Sequence, residues 1–161
     1  MKALFIGRFQ PFHKGHLHAI KRAMKKFDLT VAIGSSDKSN TKSNPFSFEE
    51  RKRMIEACLG DKVKIIDAED KRTDEEWAES LMKKAEFDVV ITGSEWIKKC
   101  FKNKKEILDP DFLEPKKYNG TRIREMIAKG KKWEHLVPPQ VRKIIKEIDG
   151  EKRIKELYEG D

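Results

Sequence analysis

The amino-acid sequence predicts an α/β fold of Rossmann-like, three-layer type, with a parallel sheet of about five strands and a helical C-terminal part from about residue 119. Three observations lead there. Apolar runs of strand length alternate with segments whose apolar residues recur at spacings of three and four, which is the pattern of βαβ units joined by right-handed crossovers. The run Val89, Val90, Ile91 is apolar without interruption, as expected of an inner strand covered on both faces. At 161 residues the chain reads as a single domain over 1–161, large enough to bury a core without disulfide or metal staples.

Each element follows in order. Lys2–Gly7 reads as a buried first strand, followed by a Gly/Pro-bearing turn and a helix whose apolar stripe is Leu17, Ile20, Met24 and Phe27. Leu29–Ser35 is a second strand, and Ser36–Phe46, rich in Ser, Asn and Lys, is a loop. Ser47 and Glu50 form a capping box for a helix that buries Met54, Ile55, Cys58 and Leu59. Val63–Asp67 is a third strand, and Thr73 with Glu76 opens another helix in the same way. Phe87–Gly93 is a fourth strand, followed by a helix from Glu95 to Phe101 and a short strand at Glu106–Leu108. Helices at Thr121–Lys129 and Pro139–Ile148 complete the chain, the second burying Val141, Ile144, Ile145 and Ile148.

Composition narrows the function. No stretch approaches the roughly 18 apolar residues needed to cross a bilayer, so a cytoplasmic protein with no membrane partner is expected. Cys58 and Cys100 stand apart with no CxxC or Cys/His cluster, which predicts buried reduced thiols and no metal site. Charged residues make up 40% of the chain, and 36 Lys plus Arg against 28 Asp plus Glu leave +8, so the partner is anionic: a nucleic acid or a phosphorylated metabolite.

In an open α/β sheet the ligand lies beyond the carboxyl ends of the strands, so the turn after the first strand is the place to look. It reads Gly7-Arg8-Phe9-Gln10-Pro11-Phe12-His13-Lys14-Gly15-His16. Gly7 and Gly15 permit close backbone approach, the helix start offers free N–H groups, and Arg8, His13, Lys14 and His16 add donors or charge. This is an anion site suited to phosphate, without the Lys-Ser/Thr ending of a P-loop or the GxGxxG spacing of a dinucleotide fingerprint.

At these residues the sequence resembles the HxGH nucleotidyltransferase superfamily, and GRFQPFHKGH is similar to the archaeal-type nicotinamide mononucleotide adenylyltransferases. Asn44-Pro45-Phe46 with Glu50-Arg51, the segment Tyr118-Asn119-Gly120-Thr121-Arg122-Ile123-Arg124, and Lys132–Pro138 resemble further family segments in the right order. The resemblance implies adenylyl transfer from ATP to nicotinamide mononucleotide, with NAD and pyrophosphate as products, magnesium arriving with the ATP, and a homo-oligomer, a hexamer as in archaeal relatives.

The same resemblance assigns roles. Arg8, His13, Lys14 and His16 form the catalytic group, with His16 the foremost transition-state contact. Gly7, Arg8, Phe9, His13, Gly15, His16, Gly120, Thr121 and Arg124 hold ATP, Thr121 at a helix start and Arg124 on the outer phosphates. Phe9, Gln10, Ser35, Asp74, Trp77 and Gly93 serve the mononucleotide, with Trp77 stacking on the pyridine ring and Asp74 near its substituent. His18 and His135 match no motif histidine and read as surface or packing residues. Ser94 and Asp74 stand where archaeal relatives have asparagines, which leaves the choice between amide and acid mononucleotide open. The rival readings are transfer to nicotinic acid mononucleotide, flavin mononucleotide or phosphopantetheine on the same fold, and a basic nucleic-acid-binding module. The module is disfavoured because Lys and Arg are spread among acids and are not interleaved with aromatics on one face.

Overall fold

The computed structural model describes residues 1–160. Strands β1 (Lys2–Gly7), β2 (Asp28–Gly34), β3 (Lys64–Ala68), β4 (Val89–Ile91) and β5 (Glu106–Leu108) form one parallel sheet in the order β3-β2-β1-β4-β5. Alternation along the strands sorts the core into two faces. Ala3, Phe5, Val31, Ile33, Val89 and Ile91 point to one side; Leu4, Ile6, Ala32, Ile66, Ala68 and Val90 point to the other.

The first face is covered by α1 (Lys14–Met24), α2 (Phe48–Leu59), α5 (Gly120–Ala128), α6 (Pro139–Glu147) and α7 (Gly150–Glu159), with a 3-10 turn at Glu134–Leu136. The second is covered by α3 (Asp74–Lys84) and α4 (Glu95–Phe101). The chain moves outward from β1 through β2 to β3 and then crosses back to β4 on the other side of β1. The carboxyl ends of β1 and β4 therefore make the switch point at which ligands of such sheets bind. Among the described residues, no helix is long and apolar enough to cross a membrane.

Several expectations need correction. β4 is three residues long, because after Ile91 the chain turns into the Ser94 cap of α4, whose hydroxyl accepts the Ile97 N–H at 3.3 Å. Phe87 packs edge-on against Phe101 and lies outside the ladder. The innermost stripe of α1 is Ala19, Ile20 and Ala23; Leu17, Met24 and Phe27 flank it half-buried, since the two alanines let the helix lie close to the sheet. Cys58 is only half-buried at the α2–α6 seam, 4.0 Å from Gln140 Oε1, and partial burial raises its thiol pKa to about 11. Ile148 caps α6 and is likewise half-buried. α7 has no counterpart in the sequence reading: it offers one fully buried apolar residue, Ile154, too few for a periodic signal. Its start presses so tightly on α6 that a Cβ on Gly150 would come within 2.8 Å of Ile145 Cγ2.

Candidate active site

The turn after β1 folds back under itself. Phe9 adopts φ 54° and tucks its ring beneath Gly7, where a Cβ would come within 2.9 Å of it, so only glycine fits there. Phe9 also packs against Phe5 and Phe12 and is buried. Beyond this apolar footing, α1 begins with a reciprocal cap made of two histidines. His13 Nδ1 accepts from the N–H groups of Gly15 and His16 at 3.1 and 3.3 Å, and His16 Nδ1 accepts from the His13 N–H at 3.1 Å. The rings stack with centroids 3.5 Å apart.

Each Nδ1 is thus an acceptor, so each neutral ring carries its proton on Nε2 and can donate it outward. Burial pushes the His13 pKa down to about 3; burial and the neighbouring His13 push that of His16 well below its ordinary value. Protonation would destroy both caps, so the fold keeps the pair neutral. Lys14, the first residue of the helix, adds a half-buried cation.

Three buried side chains hold this turn in place. Gln10 clamps Phe46 with both ends of its amide: Nε2 donates to the Phe46 carbonyl and Oε1 accepts the Phe46 N–H, each at 2.9 Å. Arg51 on α2 is fully buried and donates to the carbonyl oxygens of Ser47, Arg8, Gly34, Ser35 and Lys38. Desolvation lowers its pKa to about 10, and the guanidinium ties the loop after β1 to the loop after β2. Arg124 on α5 donates from Nη1 to the Gln10 carbonyl at 2.8 Å and from Nη2 to Thr121 Oγ1 at 3.3 Å, bringing the second motif against the first across 114 residues of chain.

A cleft of about 390 Å³ opens at the switch point between Arg8, Gly34–Ser35, Trp77 and Thr92–Ser94. Trp77 forms its buried floor, Ser35 donates to Asp70 at 3.0 Å, and a Cβ on Gly93 would press on the Phe112 ring at 3.2 Å. Phe112 in turn stands edge-on to His16, centroids 6.3 Å apart, so the cleft adjoins the histidine pair.

Of the residues singled out in the sequence, Gly7, Arg8, Ser35, Trp77 and Gly93 line the cleft. His13, Lys14, Gly15 and His16 gather at the start of α1, with Gly120, Thr121 and Arg124 beside them on α5. Three placements depart from expectation. Phe9 and Gln10 turn their side chains into the core, where one packs and the other clamps Phe46. Asp74, off the cleft lining, accepts the indole N–H of Trp96 at 2.9 Å. Thr121 stands at the start of α5 as expected; Asn119 caps that helix by accepting the Arg122 N–H at 3.1 Å, leaving the Gly120 and Thr121 amides ahead of any intrahelical acceptor. His18 is half-buried and His135 exposed. The sequence reading passed over Trp96, Phe112 and any role for Arg51; a tryptophan just beyond the end of an inner strand at the switch point was the one available signal.

Residues 4–146 match the family described as cytidylyltransferase-like. The nicotinamide-nucleotide adenylyltransferase of Methanococcus vannielii is 41% identical, covering 100% of this chain and 97% of the relative. That of Archaeoglobus fulgidus is 36% identical, covering 100% and 99%. A crystal structure of a bifunctional NMN adenylyltransferase/ADP ribose pyrophosphatase from Francisella tularensis superposes with a TM-score of 0.80 at 27% identity, covering 96% of this chain and 51% of that one. The same bifunctional protein complexed with AMP and an Mn ion gives 0.79. The chain therefore spans about half the length of that solved protein.

Proposed function

The chain belongs to the cytidylyltransferase-like family, and from that premise we propose that it runs ATP-dependent adenylyl transfer to nicotinamide mononucleotide, forming NAD and pyrophosphate. The observation that carries the reading is the Arg124–Gln10 bond, which closes the start of α5 against the histidine-capped start of α1 beside a cleft floored by Trp77. Two helix starts side by side, with Arg8, Lys14 and Arg124 around them, suit a polyphosphate.

A phosphate oxygen of the mononucleotide attacks the α-phosphorus of ATP, and pyrophosphate leaves. The nucleophile is already ionised, so the protein supplies position and charge neutralisation and no base. His13 and His16 donate their Nε2–H groups to the phosphoryl oxygens, His16 foremost, while Arg8, Lys14 and Arg124 balance charge toward the leaving pyrophosphate. Trp77, with Ser35 and Gly93 along the cleft, receives the mononucleotide. The groups at the two helix starts are N–H donors and cations, a set that suits phosphate oxygens and not a metal ion. Magnesium accordingly enters as part of the substrate, held by triphosphate oxygens and water. A single-domain, cytoplasmic, hexameric homo-oligomer belongs to the same reading.

A panel of mononucleotides (the nicotinamide, nicotinic acid and flavin forms, with phosphopantetheine) assayed with ATP and magnesium for pyrophosphate release tests it. Fastest release with the nicotinamide form is expected. No release with either pyridine mononucleotide, or faster release with another acceptor, overturns it.

A further inference from the structure

Trp96 belongs to no motif used so far. It is among the few large apolar side chains left open, at 46% exposure, yet it is not loose. Its indole N–H is held by Asp74 Oδ1 at 2.9 Å, its ring lies 4.8 Å from that of Trp77 at a 49° tilt, and it borders the cleft. Asp74 opens α3 and Trp96 lies in the first turn of α4, so this one bond ties together the starts of the two helices on that side of the sheet. The tilt makes the two indoles a corner, with Trp77 buried behind and Trp96 exposed in front.

An exposed indole fixed at its N–H edge offers its open face with little ordering left to do on binding. A carboxylate accepting from an indole N–H also pushes electron density onto the ring, which strengthens its attraction for a cation. With Asp74 on the indole and Asp70 on the cleft wall, the corner suits a positively charged planar ring better than a neutral purine trailing phosphates.

Resting on the reading above, we propose that Trp96 is the second aromatic wall of the mononucleotide subsite, covering the cationic pyridine ring seated against Trp77, and that Asp74 is the positioning residue that holds it. Asp74 then acts through Trp96 and does not read the ring substituent.

Steady-state kinetics of five variants, four single and one double, test this. Trp96→Ala should raise KM for nicotinamide mononucleotide roughly tenfold, in line with loss of a cation–π wall, while kcat and KM for ATP stay within about twofold. Asp74→Ala should raise the same KM about threefold. Asp74→Asn, which keeps an oxygen acceptor for the indole, should rescue it. Adding Asp74→Ala to Trp96→Phe should do nothing more, because phenylalanine has no N–H to hold. Thermal denaturation confirms that each variant is folded. The proposal is overturned if Trp96→Ala leaves that KM within twofold or shifts KM for ATP instead, or if Asp74→Asn is as impaired as Asp74→Ala. Wild-type protein that makes no NAD would sink the reaction itself, whereas active wild type with an insensitive Trp96→Ala sinks only this inference.

Discussion

His13 has two separable jobs, and asparagine tells them apart. Its Nδ1 caps α1 by accepting two N–H groups at 3.1 and 3.3 Å, and its Nε2–H is the proposed donor to phosphate. Asparagine is among the best N-cap residues and places an oxygen near the Nδ1 position, but it has nothing where Nε2 stood. Alanine loses both. The cap is worth roughly 0.5–2 kcal/mol, so His13→Ala should lower Tm by roughly 1–8 °C in a chain of this size, whereas His13→Asn should lose less than half as much. Removing a preorganised donor should cost both variants roughly 10²–10³ in kcat, in step with kcat/KM. Differential scanning calorimetry and pyrophosphate release read the two effects. An asparagine variant that keeps half its turnover refutes the donor role, and one as unstable as alanine refutes the cap.

Acid supplies a second reading of the same residue. The folded pKa of His13 is about 3 against an ordinary value of 6.5, so the unfolded chain binds more protons between those values. Stability is therefore fully present above pH 6.5 and is lost as pH falls toward 3. By pH 5 the loss from this residue is 1.5 units at about 1.36 kcal/mol each, or about 2 kcal/mol. His16 shifts in the same direction, so His13→Asn should shrink the acid sensitivity without abolishing it. An unchanged slope of stability against pH would show that His13 is not held neutral by the fold.

Other substitutions probe the scaffold. Arg51→Lys exchanges a fork that reaches five carbonyl oxygens for three N–H bonds from one point, stranding at least two acceptors; a loss of about 2–5 kcal/mol is expected, and a Tm drop under 2 °C would contradict it. Gln10→Leu should cost about 2–4 kcal/mol in urea unfolding by leaving both polar groups of Phe46 unpaired, with KM for the mononucleotide unchanged; a raised KM in a stable variant would return Gln10 to the ligand. Arg124→Ala should weaken ATP binding more than AMP binding by calorimetry, and equal losses would remove it from the outer phosphates.

How much was legible depended on how far apart the partners lie in sequence. The histidine cap closes within four residues, so motif and helix start could be read together, and Ser47–Glu50 is the same kind of local signal. The all-parallel sheet followed from the alternation of runs, including its inner strand Val89–Ile91. Phe9 and Gln10 misled because they sit inside the turn that carries the motif while their side chains point away from its open side: Gln10 is held by Phe46, 36 residues on, and Phe9 fills the space that Gly7 leaves. Arg51 was visible as a motif member, but its five carbonyl partners come from three separate segments and leave no pattern in the sequence. The pairing of Asp74 with Trp96 depends on two helix starts meeting on one side of the sheet, which no spacing announces.

The way charge is divided at the helix starts follows from the caps. Because each imidazole spends its Nδ1 lone pair on a backbone N–H, neither can become an imidazolium without unmaking the turn that positions it. Positive charge is left to Arg8, Lys14 and Arg124, side chains whose nitrogens are donors only. A transfer whose nucleophile arrives ionised gains nothing from a proton-shuttling histidine, so donors that stay neutral suit it. The residue type that titrates nearest neutrality is thus used here for geometry: a rigid ring with an acceptor facing the helix and a donor on its opposite edge, a combination that neither lysine nor arginine, having no acceptor, can supply.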